Sequence, residues 1–149
     1  MNVPLRLDSI PENFANAFRQ ASELQWRRAA SAAAQIAASR TGLRGKDVES
    51  ALEILRRGGN GSAVRGNLEV LSADLDDQYL RLCEAADDEP GQVSQEALRL
   101  FRQARAAAAL AFALSPEPEQ LHEAIYEAII ASEDRAETIR SADAALQGK

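Results

Sequence analysis

The run Ala104-Arg105-Ala106-Ala107-Ala108-Ala109-Leu110-Ala111-Phe112-Ala113 narrows the folds open to this chain more than any other stretch. Alanine loses no side-chain entropy on entering a helix, so such a run is a strong helix former. Its methyl groups also let a neighbouring helix approach closely. Upstream, Ser94 fits an N-cap, because its hydroxyl accepts a bond from an orphan amide of the first turn. Ala97, Phe101, Ala104, Ala108 and Ala111 then recur at helical spacing. Downstream, Pro116 cannot continue a helix, and Pro118 suits the opening position of the next one. Leu121, Ile125, Ala128, Ile129 and Ser132, widened by Tyr126 and Ile130, give that next helix an apolar face. A link this short predicts an antiparallel helical hairpin from Ser94 to Ser132.

The flanking segments read the same way. Val3, Leu5 and Leu7 alternate with other residues, so residues 1–8 are expected as an extended arm. Ser9 and Glu12 have capping-box spacing, and Phe14, Phe18 and Ala21 continue one face. Ser22 and Gln25 repeat the cap, after which Trp26, Ala29, Ala30, Ala33, Ile36 and Ala37 run to Thr41-Gly42. One bent helix or two short ones satisfy that pattern. Asp47 is expected to cap a segment with Val48, Ala51, Leu52 and Leu55 inward, closed by Gly58-Gly59. Val64, Leu68, Leu71, Leu75, Tyr79, Leu82 and Ala86 give the cleanest period in the chain, with Gly66 a soft point near its start. Pro90-Gly91 breaks it. Asp134 and Glu137 open a last helix through Ile139, Ala142 and Leu146. The reading is therefore all-α: one domain of five to seven mostly antiparallel helices across residues 1–149.

Composition supports that class and removes others. The chain has 149 residues, enough for a real core, yet only four Phe, two Tyr and one Trp, so alanine and leucine supply the apolar volume. No apolar run reaches membrane-spanning length, and residues 1–7, broken by Pro4, do not read as a signal peptide. A soluble cytoplasmic protein is expected. One cysteine, Cys83, excludes an internal disulfide and a cysteine-rich zinc site, and is expected as a buried thiol. Fifteen of the seventeen basic residues are arginine and thirty residues are alanine, a composition in keeping with a GC-rich bacterial genome.

No catalytic or cofactor motif emerges. Gly58-Gly59-Asn60-Gly61 lacks the lysine and hydroxyl residue of a phosphate-binding loop and follows no strand. His122 is the only histidine, so Glu119-x-x-His122 is half of the paired motif that di-iron bundles need. Glu119, Glu123 and Glu127, four apart, read as a solvated polar face. No serine lies in a nucleophile elbow, and Cys83 belongs to another apolar stripe. Neither enzyme, metal centre nor cofactor is expected.

Charge gives the strongest functional lead. The net charge is −6, but residues 67–98 alone carry nine acids against Arg81, a net of −8. A strongly acidic chain disfavours nucleic acid, whose phosphates need basic contacts. Arg27, Arg28, Arg56, Arg57, Arg99, Arg102 and Arg105 are expected mostly to meet the acidic helix across the bundle. The seven acids Asp74, Asp76, Asp77, Glu84, Asp87, Asp88 and Glu89 exceed what solubility requires. Clustered negative charge of this kind gains from a complementary basic surface. Nuclease active-site clefts present such surfaces.

With this, the chain resembles the all-helical immunity proteins of bacterial polymorphic-toxin systems. The resemblance is carried by Gln25-Trp26-Arg27-Arg28-Ala29-Ala30, Thr41-Gly42, Ala51-Leu52-Glu53-Ile54-Leu55, Glu123-Ala124-Ile125-Tyr126-Glu127-Ala128 and Glu133-Asp134. It implies a non-enzymatic cytoplasmic protein that binds and blocks a toxin of the same cell, and it assigns no functional residue. On that reading the seven acids cover a basic toxin's active site. A second reading places His122, Tyr126 and the Arg99/Arg102/Arg105 stripe around an interhelical pocket, as in a ligand-binding regulator or small enzyme. A third joins copies of the chain into a scaffold through alanine faces.

Overall fold

Alanine sets the spacing of the core. The computed structural model describes residues 11–58, 61–85 and 94–148. These form α1 (Glu12–Gln20), α2 (Glu23–Thr41), α3 (Lys46–Arg57), α4 (Ser62–Ala85), α5 (Gln95–Ala113), α6 (Leu121–Ala131) and α7 (Arg135–Leu146). A single 3-10 turn, Pro118–Gln120, precedes α6, and no strand occurs among the described residues. The all-α bundle predicted from the spacing is thus the observed fold. Helix α5 lies at its centre, packed against α4, α6 and α2, while α2 also packs on α7 and α6.

Between Ala104 and Ala113 every residue is buried except Arg105, Ala108 and Phe112. Helix α2 answers with Ala29, Ala30, Ala33, Ala34, Ala37 and Ala38, all buried, in pairs four apart that make one stripe. Side chains this small bring helix axes toward the close end of the usual 8–10 Å range. Leu68, Leu110, Leu121, Ile125, Ile129 and Val48, fully buried, fill what the methyl groups leave open. Each of these larger side chains contributes about 1.5–3 kcal/mol on burial, against about 0.8 kcal/mol for a buried methyl-sized group.

Helix ends follow local chemistry. The choice between one bent helix and two is settled by Ser22: its Oγ accepts from the Gln25 amide at 3.3 Å, and its own amide donates to Gln25 Oε1 at 2.8 Å. That capping box starts α2 and ends α1. Trp26 then folds back, its ring stacked 5.2 Å from Phe18 and its Nε1 donating to the Phe18 carbonyl at 2.5 Å. Gly42 (φ 70°) and Gly58 (φ 76°) close α2 and α3 in the left-handed region that glycine adopts without strain. Ser94 caps α5 by accepting from the Ala97 amide at 3.0 Å, and Asp134 caps α7 by accepting from Glu137 at 3.0 Å.

Some expectations change. Helix α3 starts one residue earlier than Asp47, at Lys46, with Gly45 before it and no side-chain cap. Asp47 instead accepts from Asn67 Nδ2 at 3.0 Å, tying α3 to α4. Pro118 opens the 3-10 turn rather than α6 itself, and α4 runs through Gly66 unbroken. Pro11 precedes α1 without a side-chain cap. The arm at residues 1–8, Ser9, and the Pro90-Gly91 break lie outside the described residues.

The alanine seam yields a stability prediction. Ala33→Leu and Ala107→Leu place a larger side chain where relative exposure is 0%, and each should destabilise by about 1–3 kcal/mol in urea unfolding. Ala63→Leu, on the exposed first turn of α4, should change stability by less than about 0.5 kcal/mol. Equal effects at all three positions would contradict the packing.

Candidate protein-binding surface

Helix α4 buries one face and leaves the opposite one bare. Leu68, Ser72 and Leu75 are buried, and the Ser72 hydroxyl donates to the Ala104 carbonyl at 2.9 Å, holding α4 against α5. On the outer side, Val70, Asp74, Asp77, Arg81 and Glu84 recur at spacings of four and three, with Ala73 and Leu80 beside them. All seven are exposed. Val70 keeps 61% and Leu80 53% of their surface in water. These two are ten residues apart, roughly 15 Å along the axis at 1.5 Å per residue. The stripe is therefore acidic with an apolar residue toward each end.

The candidate acids divide. Asp74, Asp77 and Glu84 lie on the outer stripe and make no ion pair among the described residues. Asp76 does not belong with them. It turns toward α5, where its carboxylate accepts from Arg105 Nη2 at 2.6 Å. Asp87, Asp88 and Glu89 lie outside the described residues.

Arg105 has a second partner, Glu127 of α6, whose Oε2 accepts from Nη1 at 3.2 Å. The Glu127 side chain is only 7% exposed. The solvated face expected for Glu119, Glu123 and Glu127 is therefore not uniform: Glu119 is exposed, whereas Glu127 faces inward. The guanidinium carbon also lies 5.9 Å from the Phe101 ring centre, and Tyr79 packs on the same ring at 5.3 Å. One cation thus joins α4, α5 and α6. A charge at the head of an alanine run signals such a partner, because a cation shielded from water must be paired. The sequence does not say from which helix the partners come.

The remaining basic residues mostly pair outside the acidic helix. Arg56 and Arg57 reach Glu53 within α3. Arg27 pairs with Glu23 and donates to the carbonyls of Ser115 and Pro116, fixing α2 to the proline corner. Arg102 pairs with Glu133. Arg40 forms a two-pronged pair with Glu137 at 2.9 and 2.7 Å, which raises its pKa above its ordinary value. Arg28 is exposed. The expectation of a basic block cancelling the acidic helix holds for Arg105 alone among the arginines considered.

The groups of the pocket reading do not share one cavity. An open groove of about 1260 Å³ takes Arg99 and Arg102, together with Arg40, Glu96, Glu133 and Glu137. His122, Tyr126 and Arg105 are not in its lining. His122 is half-buried with Nε2 3.3 Å from Glu123 Oε1. Among the described residues no group of three histidine, cysteine or acidic side chains comes together to hold a metal ion, and no helix is long and apolar enough to cross a membrane. Cys83 is half-exposed rather than buried, one turn from Tyr79. Its hydrogen bond and charge hold the proton on the Tyr79 phenol and raise that pKa above the ordinary 10.0.

No family model, curated protein or solved structure matches this chain.

Two measurements check the site. Arg105→Gln and Glu127→Gln should each cost about 3 kcal/mol in urea unfolding, the lower end for breaking a buried pair. Asp76→Asn should cost about 1 kcal/mol, being more exposed, and Asp77→Asn close to nothing. Equal losses at Asp76 and Asp77 would contradict their different environments. In an ultraviolet pH titration, Cys83→Ala should lower the Tyr79 midpoint toward the ordinary 10.0, because the side-chain hydrogen bond that holds the phenol proton is gone. An unchanged midpoint would remove the contact.

Proposed function

We propose that the chain is a non-enzymatic protein-binding module, an immunity protein that sits in the bacterial cytoplasm and covers the active site of a basic toxin. The observation carrying this reading is the outer face of α4. Three carboxylates, Asp74, Asp77 and Glu84, stand there against Arg81 alone, with no ion pair among the described residues and with Val70 and Leu80 exposed beside them. Unpaired like charges on one stripe repel each other, so a basic partner relieves repulsion as well as adding contacts. The apolar pair supplies area to desolvate, which charge alone does not. Asp76 is left out of the docking set, since Arg105 already holds it.

The division of the arginine stripe disfavours the pocket reading: Arg99 and Arg102 line one groove while Arg105 serves the core. The scaffold reading called for free alanine faces, and the alanine stripes of α2 and α5 are buried inside the bundle.

The test is capture from the native cell followed by binding kinetics with the captured protein. Asp74→Lys combined with Asp77→Lys should slow association at low ionic strength by about tenfold or more, with a shallower salt dependence. Glu12→Lys, an exposed reversal on α1, should leave the rate within about twofold. Unchanged affinity in the double variant would rule the α4 face out.

A further inference from the structure

We infer that the groove beside the α4 stripe receives an arginine side chain of the same partner. This rests on the reading of α4 as a partner-binding helix and says where that partner is anchored. The groove, about 490 Å³, lies between α4, α5 and the Pro116 corner. Ala108, Ala111 and Phe112 line it on the α5 side, and Ser72 on the α4 side. Arg65, Glu69 and Glu117 also line it, and none of the three has an ion-pair partner among the described residues. The larger groove differs on this point, because its Arg40–Glu137 and Arg102–Glu133 pairs already neutralise one another. Glu69 lies about 100° round the helix from Val70, so the groove flanks the outer stripe, between it and α5.

The lining selects the occupant. Two carboxylates against one guanidinium favour a cation. Methyl groups along one wall suit an aliphatic stem, and the Phe112 ring suits a flat cation. A guanidinium meets two carboxylates through its fork of donors, which an ammonium cannot reproduce. The Ser72 hydroxyl adds an acceptor, since its proton is already donated to the Ala104 carbonyl at 2.9 Å. Arg65, four residues before Glu69 on the same helix, competes for that carboxylate and tunes the site downward.

The probe is N-acetyl-arginine amide, titrated at low salt into the isotope-labelled full chain and followed by amide chemical shifts. N-acetyl-citrulline amide, of similar shape but uncharged, is the control. Shifts should concentrate at Ser72, Ala108, Ala111 and Phe112, with citrulline silent. Glu69→Gln and Glu117→Gln, both exposed positions, should each weaken binding about two- to fivefold, and Arg65→Gln should tighten it by a similar factor. Absent shifts, equal shifts with citrulline, or shifts confined to Asp74, Asp77 and Glu84 would overturn the inference. With the captured partner, a Glu69→Gln/Glu117→Gln variant that binds as well as wild type sinks the groove alone. Loss on reversing Asp74 and Asp77 in the same assay keeps the α4 reading standing.

Discussion

Arg105 is the charge around which this bundle is arranged. It stands at the head of the alanine run, midway along the central helix and largely shielded from solvent, where an unpaired cation would cost several kcal/mol. Asp76 and Glu127 neutralise it from opposite helices, at 2.6 and 3.2 Å. Two carboxylates on one guanidinium leave a small negative excess, tolerated because Asp76 keeps 36% of its side chain in solvent. The buried Leu68, Ser72 and Leu75 set the rotation of α4. That rotation leaves Asp76 on the flank beside α5, within reach of Arg105, and Asp77 on the outer face.

The alanine seam does the complementary work. Because α2 and α5 bury methyl groups against their neighbours, the helices close around α5 without large side chains, and α4 can pack along its length. The seam and the ion pairs together use up the inner faces. What remains outside on α4 is a stripe with acids and two exposed apolar residues, neither of which the fold requires. That surplus is the physical basis for proposing that the face meets a partner.

How much was legible in advance depended on the range of the interaction. Helix class, the Ser94 and Asp134 caps and the glycine stops are local, within a turn or two of sequence, and the pattern of residues contains them; the capping-box spacing at Ser22 leaves one bent helix or two open, and the hydrogen bonds to Gln25 decide for two. Asp47 looked like a cap by composition, but Lys46 and Gly45 begin the helix earlier and free its carboxylate for Asn67. Asp76 and Asp77 are adjacent and chemically identical, so composition could not separate the paired one from the free one. Only the packing of α4 does, which brings Asp76 to Arg105, 29 residues away in sequence. The burial of Glu127 is equally non-local: its spacing matches a solvated row, while its partner lies on another helix 22 residues distant.

Neighbouring carboxylates of α4 have opposite fates, Asp76 paired within the molecule and Asp74, Asp77 and Glu84 exposed to solvent. Carbodiimide labelling of carboxylates, read by mass spectrometry on the free chain and on its complex with the captured partner, measures this directly. In the free chain Asp74, Asp77 and Glu84 should label readily while Asp76 and Glu127 resist, and on complex formation the first three should become protected. Equal labelling of Asp76 and Asp77 in the free chain, or undiminished labelling of Asp74, Asp77 and Glu84 in the complex, would contradict it.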